Sequence, residues 1–128
     1  MRHCVAFIAL SCIFFSGCGD SNRKVAGDYQ LVRFDEGGVR YYLTISGDLS
    51  NGGGVFDGTV QEIGWNHDYI LARVKRLTHS DPDGWYFVDL RTKHMTGPVD
   101  MSYIKTNMSF FGIRCRTPND VFFEKHRN

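Results

Sequence analysis

Residues 39–46 read VRYYLTIS, and their two-residue period constrains the fold more than any other stretch of the chain. Successive Cβ atoms of a strand point to opposite faces, so Val39, Tyr41, Leu43 and Ile45 share one side. Arg40, Tyr42, Thr44 and Ser46 share the other. That pattern is a half-buried antiparallel strand with one wet face. Such a strand needs a sheet, because a lone hairpin is marginal in water. Similar signals recur in residues 25–34 (VAGDYQLVRF), 55–65 (VFDGTVQEIGW), 68–76 (DYILARVKR) and 85–90 (WYFVDL), each rich in β-branched and aromatic residues and flanked by turn formers. Ile70, Ala72 and Val74 make a core face, with Arg73 and Lys75 toward water. Tyr86, Val88 and Leu90 point inward on their own strand. Asp35-Glu36-Gly37-Gly38, Asn66-His67 and residues 77–84 supply turns, the last with Pro82 to preset φ. Residues 91–93 turn the chain into His94-Met95-Thr96-Gly97-Pro98.

The period then changes. Met101, Ile104, Met108 and Phe111 are spaced by three, four and three, which predicts a helix over residues 101–111. Asp100 can cap its start and Gly112 can take the left-handed position after its end. A rival reading makes residues 102–113 another strand pair. A last strand is expected at 121–124, followed by a polar tail. The expected class is mainly β (α+β): an antiparallel sheet or small sandwich with one C-terminal helix near 101–111.

The N-terminus has a different character. After Met1-Arg2-His3 comes an uncharged apolar run, residues 4–15 (CVAFIALSCIFF). A helix of that length rises about 18 Å, short of the roughly 30 Å hydrocarbon core. A charged start, a short apolar run and the small pair Ser16-Gly17 read as a secretory signal. Phe15-Ser16-Gly17-Cys18 resembles the lipobox of bacterial lipoproteins, with Phe15 where that family usually has Leu. The resemblance implies diacylation of the Cys18 thiol and cleavage just before it. Two acyl chains anchor stably where one binds only marginally. Gly19, rather than Asp, follows the cysteine. By the same resemblance this favours the outer membrane, facing the periplasm, over the inner membrane. The expected organisation is a lipoprotein signal peptide (1–17), a polar tether (18–24) and a single β-rich domain (25–128).

Without the signal, 111 of the 128 residues remain, enough for one small domain with its own core. Losing Arg2 leaves 14 basic residues against 14 acidic ones, so the mature chain is formally neutral. A nucleic-acid footprint needs a basic excess on one face, and no nucleic-acid partner is expected. Cys4 and Cys12 leave with the signal and Cys18 is acylated. Cys115 is then the last thiol, and no intramolecular disulfide can form. Its simplest role is that of a small buried hydrophobe. A catalytic thiol and an intermolecular bridge are the alternatives.

Catalytic and metal patterns are weak. Residues 47–54 (GDLSNGGG) read as a mobile connection, and lack the Gly-Lys-Ser/Thr ending of a phosphate cradle. His67, His79, His94 and His126 are not spaced as metal pairs. Residues 79–84 (HSDPDG) look faintly like a calcium loop, but Pro82 and the missing terminal Glu depart from it. His67 and Asp68 are adjacent, yet adjacent strand residues point apart. No Gly-x-Ser-x-Gly elbow is present. The expectation is no enzyme, no metal and no cofactor.

Trp65, Tyr69, Trp85 and Phe87 are the candidate partner-binding residues. If Ile70 and Tyr86 face the core, then Tyr69, Trp85 and Phe87 lie on the opposite face. Exposed, they form a recognition patch. Covered by the helix, they are ordinary core. Residues 64–72 (GWNHDYILA), 85–90 and Gly97-Pro98 resemble a family of small bacterial envelope proteins of unknown function, over about residues 58–112. The resemblance implies a mostly β domain with a late helix and brings no site residue. The expected function is a lipid-anchored envelope protein with a binding or structural role and a protein partner, such as an immunity or inhibitor lipoprotein. The alternative is a small-ligand-binding or envelope-maintenance module.

Overall fold

A computed structural model describes residues 22–46, 53–77 and 82–124. The signal, Cys18, the start of the tether, residues 47–52 of the glycine-rich connection, His79 and the tail lie outside the described residues. The described chain is mainly β. One antiparallel sheet contains β1 (Asn22–Lys24), β2 (Tyr29–Asp35) and β3 (Val39–Ile45), in that order. The other contains β4 (Gly58–Trp65), β5 (Tyr69–Arg76), β6 (Gly84–Asp89) and β7 (Met95–Val99), also in chain order.

Local chemistry sets the hairpins. Asp35 pairs with Val39 across Gly37 and Gly38, whose φ values of 69° and 120° a side chain would resist. Asn66 Oδ1 accepts the N–H groups of Asp68 (2.9 Å) and Tyr69 (2.8 Å), closing the turn between β4 and β5. Asp89 Oδ1 does the same for Arg91 and Thr92 after β6.

The two sheets share one core, to which β3 gives Tyr41 and Leu43 while Val39 and Ile45 at its ends are exposed. Tyr29, Leu31, Tyr41 and Leu43 from the first sheet pack in one cluster with Val60, Ile63, Ile70, Ala72, Val74, Tyr86 and Val88 from the second. Phe56 fills the space below Tyr86, with ring centroids 6.2 Å apart. Ile70, Ala72, Val74 and Val88 are fully buried. Burying the isoleucine and valine side chains contributes about 1.5–3 kcal/mol each.

Five local expectations change. The tether is not wholly outside the fold: Asn22, Arg23 and Lys24 form β1, because the free edge of β2 offers backbone partners to any extended neighbour. Residues 25–28 turn rather than extend, with Gly27 at φ 56°, and residues 55–57 likewise precede β4. Tyr42 and Thr44, expected on a wet face of β3, are buried, with Phe34 edge-on to Tyr42 at 5.7 Å. His94–Pro98 does not merely leave β6. Residues 95–99 return as β7, paired with it across a register shift.

The fifth change is at the C-terminus. The helix expected over 101–111 stops at Thr106. The chain has α1 (Met101–Thr106), an extended Asn107 and a one-turn 3-10 helix at Met108–Phe110. Asp100 precedes α1 but makes no side-chain cap. Asn107 Oδ1 instead accepts the Ser109 N–H at 2.9 Å, a local bond that competes with helix continuation. Residues 121–124, expected as a strand, belong to α2 (Pro118–Phe123). Thr117 Oγ1 accepts the Asp120 N–H and Pro118 opens the first turn, a start signal that outweighs the β-rich run behind it. Phe122 then packs on Tyr41 (5.2 Å), and Tyr41 OH lies 3.2 Å from Asn119 Oδ1.

Candidate functional site

The four aromatic residues singled out from the sequence do not form one patch. Cross-strand pairing decides their faces. Trp65 pairs with Ile70, in line with the Ile63–Ala72 and Val60–Val74 pairs, so it lies on the core-facing side at the end of β4. Tyr69, Trp85 and Phe87 lie on the outer face.

Two of those three are covered. Phe110 of the 3-10 turn is 5% exposed and meets Tyr69 (5.4 Å) and Phe87 (5.0 Å), both edge-on. Tyr103 of α1 stacks on Phe87 at 6.3 Å. Trp85 sits further along the same face, paired with Arg73 and Val99. Arg73 Nε bonds Glu62 Oε2 at 2.6 Å, which completes a polar row beside Trp85.

The seated Phe110 has an outward consequence. Its neighbours Met108 and Phe111 are each 81% exposed. They belong to the helical stripe read from the sequence, of which only Ile104 is partly shielded. The break at Asn107 destroys the helical phase. The turn that results is held from both sides. Phe111 N–H donates to the Met108 carbonyl (3.1 Å), Ile113 N–H to that of Phe110 (3.1 Å), and Asn66 Nδ2 to that of Ser109 (3.0 Å). The Phe110-Phe111 dipeptide was the available sequence signal, since adjacent residues of a tight turn cannot both face one core.

Beyond Phe111 the chain crosses β4. Ile63 and Arg116 exchange backbone bonds of 2.8 and 3.0 Å. Residues 112–116 thus wall an open cleft of about 610 Å³ in which Trp65 faces Arg114, Arg116, Asp120 and Glu124. The Arg116 guanidinium sits over the indole at 5.9 Å and bonds Glu124 at 2.6 Å. Exposed pairs of this kind are worth about 0–1 kcal/mol, so they shape the cleft more than they stabilise the fold. On the far side of Trp65, a second groove of about 600 Å³ runs past Lys24, Ala26, His67 and Leu90. His67 and His94 are exposed. Among the described residues no group of three or more His, Cys, Asp or Glu could hold a metal ion.

Cys115 sits half-buried on the outer face, its Sγ 3.9 Å from the Leu71 carbonyl. Burial, and then the negative charge of Glu62, push its thiol up to about 11. Reactivity follows the thiolate, so alkylation at pH 8 should run about two orders of magnitude slower than for an open thiol. The unfolded chain loses this proton near its ordinary value while the folded chain keeps it. Stability therefore falls as pH rises between about 8.5 and 11. Iodoacetamide labelling across that range, native against urea-unfolded, checks both.

Compared with known proteins, the chain matches no family model, no curated protein and no solved structure.

Proposed function

We propose that this chain is a lipid-anchored envelope protein, held through Cys18, that binds a protein partner with the surface joining the Met108–Phe111 turn to the Trp65 cleft. One observation carries the reading: a turn locked by backbone bonds holds Met108 and Phe111 out at 81% exposure. Covering two such side chains is worth about 1.5–3 kcal/mol each, and a rigid turn loses little entropy on binding. The surroundings suit a protein better than a lipid. Arg114, Arg116, Asp120 and Glu124 put both signs of charge beside Gly112 and Trp65, giving an apolar and aromatic centre with a polar rim. Met, Phe, Trp and Arg are also the residue types enriched at such interfaces. An inhibitor or immunity role is one form of this function, because a protruding turn suits insertion into a partner's cleft.

The test is capture from envelope and secreted fractions by the anchored chain and by a Met108→Ser, Phe111→Ser double variant. One protein retained by the parent and weakened at least about 30-fold by the double variant is expected, as for residues that dominate an interface. Equal retention by both chains would overturn the assignment of the surface.

A further inference from the structure

We infer that α1 is a strap that opens on its own, hinged at Asp100 and Asn107 and latched to the sheet by the Tyr103 ring. A helix of six residues is too short to hold itself in water, since about 12–15 are needed even for good helix formers. Its ends add little: Asp100 makes no side-chain cap, and the first turn carries no acidic residue. Packing must therefore hold it, yet α1 buries none of its residues. Ile104 is partly shielded, and Met101 and Tyr103 are 43% and 44% exposed. The side-chain hydrogen bond of the helix, from Thr106 Oγ1 to the Ser102 carbonyl at 2.8 Å, stays within it. Its aromatic tie to the sheet is Tyr103, whose ring stacks on Phe87 at 6.3 Å and meets Phe110 at 6.1 Å.

Both flanks are held more firmly. Before α1, Val99 pairs with Trp85 on β6. After it, Phe110 is 5% exposed against Tyr69 and Phe87, and Asn66 Nδ2 donates to the Ser109 carbonyl at 3.0 Å. Asp100 and Asn107 are both extended, with ψ of 154° and 117°, so the helical run breaks sharply from each flank. A segment with few buried contacts, set between two anchored ones, opens locally at a cost below that of global unfolding. Opening lifts Tyr103 and uncovers the outer side of Phe87, while Phe110 stays seated. Tyr103 also touches Phe110, which lies in the chain between Met108 and Phe111, so closure of the strap bears on the proposed partner turn. That consequence rests on the proposed function; the strap itself does not.

The test is amide hydrogen exchange on the full chain, read by NMR at single residues, for the parent, Tyr103→Ala and Tyr103→Phe. In the parent, the Ile104 and Asn107 amides, which donate to the Asp100 and Tyr103 carbonyls, should exchange at least about 100-fold faster than the amides of β5. Tyr103→Ala removes the latch at an exposed position and should speed them about a further tenfold, the population worth of an aromatic pair. The β5 amides, and those of Phe111 and Ile113 that close the turn, should keep their rates. Tyr103→Phe keeps the ring and should match the parent. Ile104 and Asn107 exchanging as slowly as β5, or at one rate in the parent and in Tyr103→Ala, overturns the strap. Equal speeding of Phe111 and Ile113 in Tyr103→Ala overturns it too, because helix and turn would then open as one unit.

Discussion

Replacing Tyr86 with Ala should lower the free energy of unfolding by about 3–5 kcal/mol, the range for losing a large aromatic from a packed core. The residue is 2% exposed and belongs to the core cluster that both sheets share. Its ring packs near Phe56, takes the Arg76 guanidinium on its face at 5.1 Å, and lies against the backbone of Gly97 on the neighbouring strand. Its hydroxyl donates to the Pro82 carbonyl at 2.7 Å, tying the loop before β6 to the sheet. Tyr86→Phe separates the two contributions: it keeps the ring and should cost only about 1 kcal/mol, the net worth of one hydrogen bond. Urea unfolding of the three chains measures both differences. A loss of under 1 kcal/mol for Tyr86→Ala would mean that the two sheets do not share the core described here.

Gly64→Val should damage stability and binding together. A Cβ at Gly64 would lie 2.6 Å from the Arg114 carbonyl oxygen and 2.8 Å from Ile113 Cγ2. Those atoms belong to the segment that crosses β4, so backbone has to move, at about 1–3 kcal/mol. The shift breaks the Ile63–Arg116 pair and moves the wall of the Trp65 cleft with the turn before it. Met108→Ser, by contrast, removes an 81% exposed side chain and should leave stability within about 0.5 kcal/mol. Comparing thermal unfolding with partner retention for the two variants therefore separates a change in the scaffold from a change in the contact surface.

The inward faces of β5 and β6 were legible, whereas β3, for all its alternation, buries Tyr42 and Thr44 and leaves Val39 and Ile45 exposed. Ile70, Ala72, Val74, Tyr86 and Val88 turned inward as their spacing requires, and Asn66 formed the turn its side chain can close. The C-terminal quarter was less legible. Met101, Ile104, Met108 and Phe111 carry a helical period, yet Asn107 offers the Ser109 N–H a side-chain acceptor and the phase is lost. Val121, Phe122 and Phe123 have strand propensity, but Thr117 and Pro118 start a helix that packs Phe122 on Tyr41. In both places one local hydrogen bond near a helix terminus outweighed a pattern spread over several residues. The candidate site followed from that misreading. Trp65 stands out in the sequence as a tryptophan, whereas Met108 and Phe111 read as part of a helical stripe. Trp65 and Tyr69 lie on different faces because the pairing of β4 with β5, which sequence spacing alone does not fix, sets Trp65 opposite Ile70.

The most direct measurement places a photoreactive phenylalanine derivative at position 111 of the full chain, in the cells that make it, with the same probe at the exposed Glu36 of the β2–β3 hairpin as the control. A turn that contacts a protein partner gives one discrete cross-linked adduct from position 111 and none of the same mass from position 36. No adduct from position 111, or the same adducts from both positions, would contradict a partner surface on this turn.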